Sequence, residues 1–272
     1  MANSPARVRA RRCVTGRATL LCFLLAPWPC TAWDTVPHQR ITKAALDSLP
    51  KAVLARFGDE AAALAAIYCL YPDRYEEMVR FGFVRKSAGP RSPEEIRAYC
   101  VRPDGQPVHG ATGNRDTDMG SLIYLFERIL TSFSENRPSE AAKYAGVLAH
   151  FIEDSLSPPH AGDIDATMHA AIERSLPEFT LTGRAPRAAP GNLLQAAQAI
   201  LDRVYAAREQ NRKSLPAMMK AVTDHDERTL DSYRLRAGVQ AAEILADTLV
   251  TVAATLRATL ISGPGSPARY SF

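Results

Sequence analysis

Apolar side chains recur along this chain at intervals of three and four residues, the period of a helix with a buried face. No stretch sustains the period-two alternation of a half-buried strand. The expected class is all-α, a single-domain multi-helix bundle. Thr35 and Pro37 look like a helix start ahead of the apolar run Ile41 to Leu46, and Asp59 opens an alanine-rich stretch that ends at Leu70. Ser92-Pro93-Glu94-Glu95 reads as a capping box with proline in the first turn. Asp118 precedes a helix with a wide apolar face reaching Leu130, and Tyr124, Phe126 and Phe133 recur at core spacing. A helix beginning at Ser139 continues until Pro158-Pro159 stops it, and Asp163 or Asp165 caps the next. Further helical stretches cover 190–212, 214–228 and 230–261, with His225 as a solvated helix residue. Gly263-Pro264-Gly265-Ser266-Pro267 reads as a disordered tail.

The beginning of the chain differs in kind. Arg7, Arg9, Arg11, Arg12 and Arg17 form a basic stretch without an acid, Ala18 to Trp28 is apolar, and Cys30-Thr31-Ala32 supplies small residues. That layout is a secretory signal peptide, too short for a good membrane span. The boundaries expected are a signal peptide over 1–32, one domain over 33–262 and a tail over 263–272, with the mature protein secreted or periplasmic.

Losing the leader revises the charge and the cysteine count. The chain carries 33 Lys and Arg against 29 Asp and Glu, and without those arginines the balance is 28 against 29. A broad cationic surface for duplex nucleic acid is therefore not expected. Cys13, Cys22 and Cys30 leave with the leader. Cys69 and Cys100 are most economically read as one disulfide in an oxidising compartment, the alternative being two separate buried thiols.

Cleavage after Ala32 also makes Trp33 the first residue. An α-amine has a reference pKa of about 7.7–8.0, so a metal can hold its deprotonated form. That amine and the Trp33 carbonyl oxygen close a five-membered chelate ring, with His38 close behind in sequence.

Of the 6 histidines, all but His225 fall into one pattern with acids: His38, Asp73, His109, His150, Asp154, His160, His169 and Glu173. The dense part is His150-x3-Asp154-x5-His160, followed by His169-x3-Glu173. Residues four apart on a helix point the same way one turn apart, so each pair can chelate. One such pair alone is more often a surface ion pair; two, with a histidine between them, make a stronger signal. Imidazole and carboxylate without thiolate suit zinc, which takes about four ligands, so this many donors point to a cluster of ions.

Together with Trp33, these residues resemble the zinc-dependent phospholipase C family, which shares an all-α fold and a trinuclear zinc site with the single-strand-specific zinc nucleases. The resemblance runs by motif from Trp33 to about residue 175. It implies three Zn²⁺ ions: one on Trp33 and His38, a second on Asp73, His109, His150 and Asp154, with Asp154 bridging the two, and a third on His160, His169 and Glu173. Asp59 and Asp104 compete for the place of Asp73, but the setting Tyr71-Pro72-Asp73-Arg74-Tyr75 at the end of a helix looks more like the family pattern. The implied reaction is hydrolysis of a phosphodiester by a hydroxide bridging two ions. Asp73 is the catalytic candidate, orienting the water or accepting its proton.

The implied partner is a phospholipid or another phosphodiester, bound by a monomer. Phospholipases place glutamate where Glu173 stands and nucleases generally aspartate. The nucleases stack a base on a ring beside the histidine matching His109, where this chain has Gly110. Phospholipase C is thus the first reading and a single-strand nuclease or 3'-nucleotidase the alternative. Choline-selective relatives hold the ammonium with a ring and an acid, whereas Arg74 follows Asp73 here, so a head group other than choline is expected. Arg80-Phe81-Gly82-Phe83-Val84-Arg85-Lys86 alternates rings and cations. Phe81 and Phe83 either dip into a lipid interface or pack into the core.

Overall fold

Helix α7 (Pro138–Leu156) carries the longest apolar surface of the helices that bear candidate ligands, and every residue from Tyr144 to Leu156 is buried. A helix that is apolar on all sides has to be covered on all sides. In this computed structural model, which describes residues 35–82 and 92–261, the other elements surround it. Ahead of it come α1 (Thr35–Asp47), α2 (Lys51–Leu54), α3 (Glu60–Ala66), a 3₁₀ turn (Tyr68–Leu70), α4 (Tyr71–Phe81), α5 (Pro93–Cys100) and α6 (Arg115–Ser134). After it come a second 3₁₀ turn (Pro158–Ala161), α8 (Ala166–Glu173), α9 (Leu193–Thr223) and α10 (Glu227–Ile261). α6, α9, α10, α3 and the first 3₁₀ turn pack directly on α7. Among the described residues the fold is all-α, with one isolated antiparallel bridge, Val101 to Pro107. Trp33, Phe83, the leader and the 263–272 tail lie outside the described residues.

One close approach sets the position of the site. A Cβ at Gly146 would stand 2.4 Å from the Tyr68 carbonyl carbon, so glycine alone lets the first 3₁₀ turn rest on α7. That contact brings the Cys69 carbonyl to His150. A smaller apolar cluster of Ile172, Leu215, Met218, Ala221 and Leu230 seats α8 on α9 and α10. Arg234, with no exposed surface, closes the end of α8: its Nε donates to the Ile172 carbonyl at 2.7 Å and its Nη2 to that of Ala171 at 2.6 Å. Its remaining donors reach Glu227 and Asp231.

Several expectations need correction. The run from Asp59 to Leu70 is not one helix, because Ile67 (φ −133°, ψ −52°) breaks it after Ala66. A new helix then starts at Tyr71-Pro72, so Asp73 lies in the first turn of α4 and not at the end of a helix. α6 is capped by Asn114, whose side chain accepts from the N–H groups of Asp116 and Thr117. Asp118 is instead buried, and it binds the preceding loop through the N–H groups of Thr112 and Gly113.

Ser92 stands at an N-cap with Pro93 behind it, but its side chain makes no capping bond. The break expected near 212–214 is missing, and α9 runs on through Pro216 because Leu215 and Met218 are held in the small core. His225 has φ 55° and sits in the α9–α10 turn rather than on a helix. Cys69 and Cys100 are free and buried, so the economical disulfide is not made. Burial pushes both thiols well above their ordinary range. Phe126 belongs to the core, and Tyr124 and Phe133 pack half-buried against it.

Substituting Gly146→Ala is expected to destabilise the protein by about 2–3 kcal/mol, because the clash is with backbone that cannot rotate away. The urea midpoint measures it, and an unchanged midpoint would show that the 3₁₀ turn does not need the missing Cβ.

Candidate metal centre

Three helices and a loop deliver the first group of donors. His38 comes from α1, Asp73 from the first turn of α4, and His150 and Asp154 from successive turns of α7, while His109 stands on the loop before α6. Asp154 lies between the histidines. Its Oδ1 is 3.4 Å from His38 Nε2, and its Oδ2 is 2.8 Å from His109 Nε2 and 3.2 Å from His150 Nε2. Asp73 closes the other side, with Oδ2 3.9 Å from His38 Nε2 and Oδ1 3.5 Å from His109 Nε2 and 3.7 Å from His150 Nε2. A Cβ at Gly110 would come 2.9 Å from Asp154 Cβ, so the residue beside His109 has to be small for the loop to lie this close.

The second group follows the α7 terminus. Pro158-Pro159 end the helix and the 3₁₀ turn presents His160, while α8, capped by Asp165, brings His169 and Glu173 round on successive turns. His169 Nε2 lies 2.8 Å from Glu173 Oε2, and His160 Nε2 3.4 Å from Glu173 Oε1. Ser157 donates its hydroxyl to Glu173 Oε1. The sets His38, His150, Asp154; Asp73, His109, His150; and His160, His169, Glu173 each gather their donor atoms within 4.8 Å, and each can hold a metal ion.

Most of the buried side-chain atoms without a hydrogen-bond partner, among the described residues, mark the same place. They include His38 Nε2, Asp73 Oδ1, both Asp154 oxygens, His160 Nε2, His169 Nε2 and Glu173 Oε2. Buried polar groups are normally satisfied, and leaving one unmatched costs about 1–3 kcal/mol, more where it is charged. So many orphaned atoms facing one another are what a cation would satisfy. The donor set of imidazoles and carboxylates fits a divalent ion of the borderline class.

Several of the candidate ligands are themselves held. His38 Nδ1 donates to Glu153 Oε2 at 2.6 Å, and Glu153 Oε1 accepts from the Thr42 hydroxyl at 2.6 Å. His150 Nδ1 donates to the Cys69 carbonyl at 2.8 Å. Both bonds fix the tautomer so that Nε2 presents its lone pair to the centre. Glu76 Oε2 stands 3.5 Å from His109 Nδ1. From α9, Arg208 donates to the carbonyls of Ala111 and, at 2.7 Å, His160, tying the loop of His109 to the turn of His160.

Sequence reasoning missed Glu153, Thr42, Ser157 and Arg208. Glu153 alone carried a signal: an acid within the apolar run of α7, next to a ligand. Among the competitors for the place of Asp73, Asp59 is exposed and Asp104 is exposed and paired with Arg102 at 2.6 Å. Arg74, the residue after Asp73, is buried, and Trp33 lies outside the described residues.

Burial dominates the electrostatics. It pushes Asp73 up to about 7, against His150 and His109 and with Asp154 and Glu76 adding their repulsion. Burial also opposes a charged His109, yet Asp154 and Asp73 lift it to about 9. Desolvation would raise Asp154, but His150, His160 and His109 hold it well below the usual carboxylate range. Burial works against Glu173 in the same way, and His160 and His169 bring it down. Since His160 and Asp154 act on each other, the two groups of donors share one electrostatic site. Comparison of the chain with protein-family models, with curated proteins and with solved structures returns no match.

Two outcomes are expected. Glu153→Gln removes the charge and leaves one accepting oxygen where His38 and Thr42 now use two, and should weaken metal binding by about 10- to 100-fold, measured by competition with a chelator. In the metal-free protein Asp73 is protonated below about 7 and His109 below about 9. A metal has to displace those protons, so its affinity should climb as pH rises from 6 to 9. Affinity that is flat over that range would mean these groups are not ligands.

Proposed function

We propose that this chain is a secreted, zinc-dependent phosphodiester hydrolase of the phospholipase C type. The observation that carries the reading is the convergence of orphaned, buried imidazole and carboxylate atoms from α1, α4, α7, α8 and two connecting segments. Three ions are proposed, held by His38 and Asp154 together with Trp33; by Asp73, His109, His150 and Asp154; and by His160, His169 and Glu173. Zinc supplies Lewis acidity there, polarising phosphoryl oxygens and making water acidic enough to attack near neutral pH.

The chain's own groups do the rest. His38, His150 and Asp154 form a floor closed to solvent, while the side chains of His109 (27 % exposed), Asp73 (15 %) and His160 (25 %) form the open edge. Substrate enters from that edge. The Asp73 carboxylate, facing His38 through one oxygen and His109 and His150 through the other, orients the attacking water and accepts its proton. The low-dielectric floor strengthens each of these interactions.

Two observations favour lipid over single-stranded nucleic acid. Gly110 offers no ring for base stacking, and Asp154 fills the place a side chain would take. Near the end of α4, Val79 is 63 % exposed, and the Arg80 guanidinium lies 5.4 Å from the ring centre of the half-buried Phe81. That end of the helix suits a lipid interface.

The mature protein is expected to contain about three zinc ions by elemental analysis and to release phosphorylated head group from phospholipid vesicles. Asp73→Asn should cut that activity at least about 100-fold. Soluble nucleotides from single-stranded DNA, with no product from vesicles, would transfer the reading to the nuclease branch. No hydrolysis of either by the zinc-loaded protein would end it.

Replacing Phe81 and Phe83 together by Ser is expected to lower turnover on vesicles while leaving a soluble phosphodiester untouched. Equal loss on both substrates would assign the rings to the core.

A further inference from the structure

Between α8 and α9 the chain runs through 174–192 without helix or strand, yet it is fastened to the bundle. The Arg187 N–H donates to Asp247 Oδ1 at 2.7 Å, and the Ala189 N–H to Thr251 Oγ1 at 2.9 Å. Irregular connections of this length usually do more than link two elements. Where this one crosses α9 and α10 it borders an open cleft of about 460 Å³, whose charged lining is Arg184, Arg187, Arg203, Glu243 and Asp247.

Asp247 organises that lining. It is 2 % exposed, and its Oδ2 takes both the Arg184 guanidinium and Arg203 Nη1, the latter at 2.7 Å. One carboxylate neutralises one guanidinium, so the pair keeps an excess positive charge and unused N–H groups. Arg187 is anchored only by its backbone, and among the described residues its guanidinium has neither hydrogen bond nor ion pair. The arginines outnumber the acids of the lining by one.

We infer that this cleft is an anion site, separate from the metal centre, that takes a phosphoryl group bearing a small organic substituent. A guanidinium fork binds two oxygens, so a carboxylate is satisfied by Arg187 alone. A phosphoryl group has further oxygens for the free donors of Arg184 and Arg203. The cleft falls in the usual size range of small-molecule sites, about 300–1,000 Å³, more than a bare phosphate needs. Pro190, Ala199 and Ile200 form an apolar wall for the remainder.

The test is a thermal-shift titration of the zinc-loaded protein at constant ionic strength with glycerol 3-phosphate, inorganic phosphate and, as a control, acetate. Both phosphates should raise Tm with saturation, glycerol 3-phosphate at the lower concentration, and acetate should not. Arg187→Gln keeps the backbone bond to Asp247 and the whole metal centre, and should raise the half-saturating concentration at least about tenfold. Glu243→Gln removes the lining's competing charge and should lower it. An unchanged response in Arg187→Gln would place the phosphate at the metal centre and overturn the inference, as would an equal effect of acetate or a weakened response in Glu243→Gln. Head-group release from vesicles should be the same in Arg187→Gln and wild type, so failure of this site and failure of the hydrolase reading are read separately.

Discussion

Negative charge buried at the ends of helices is the constraint on which this structure depends. Asp154 lies in the last turn of α7 and Glu173 at the last residue of α8, where the backbone dipole already presents its negative end. Carboxylate and dipole of the same sign repel, and both acids are almost wholly removed from water. An unpaired buried carboxylate costs several kcal/mol. The imidazoles around them relieve part of that cost, but the Nε2 atoms of His38, His160 and His169 are left without hydrogen-bond partners too. A cation between the acids and the imidazoles would satisfy the members of that set together.

The surrounding fold is the scaffold that keeps those groups from relaxing apart. Gly146 admits the 3₁₀ turn whose carbonyl orients His150. Thr42 and Glu153 hold His38 from behind. Asp118, through Thr112, Gly113 and the Tyr205 hydroxyl, fixes the loop bearing His109, and the Ala111 N–H donates to Ser155 on α7 at 2.8 Å. Arg208 and Asn211 on α9 bind the carbonyls left free at the α7 terminus and its turn, while Arg234 on α10 does the same for α8. α9 and α10 contribute no metal donor, yet the spacing between the two groups of donors depends on them.

Helical period alone makes part of this centre legible in the sequence. The His-x3-acid pairs sit on one face of a helix wherever that helix goes, so His150 with Asp154 and His169 with Glu173 can be paired from spacing. Pro158-Pro159 and Asp165 mark element ends by local chemistry that no tertiary contact overrides. Asp73 and His109 are harder to place because they meet the others only through the packing of α4 and a loop against α7. Their convergence depends on Gly146 and Gly110, whose importance lies in what each leaves room for. Glu153, Thr42 and Arg208 stay hidden for a related reason: an acid, a hydroxyl and a cation look alike in sequence whether they face water or the back of a ligand. The disulfide expectation fails because compartment and an even count speak only to what is permitted, whereas the fold buries each thiol as a small apolar group.

The asymmetry of the centre bears on whether its metals would act or only hold the fold together. A purely structural site surrounds its ion with protein donors and leaves no coordination position over, while a site that turns over substrate keeps one free. Here His38, His150 and Asp154 are closed off on the core side, and partly exposed His109, Asp73, His160 and His169 stand on the other. Solvent therefore reaches members of both groups of donors. Stability alone does not call for that opening, since one more apolar side chain over the edge would bury the ligands further. On the proposed hydrolase reading, a phosphoryl oxygen arriving there would meet water to displace and the charge of the bound ions, with the closed floor keeping the dielectric low beneath it.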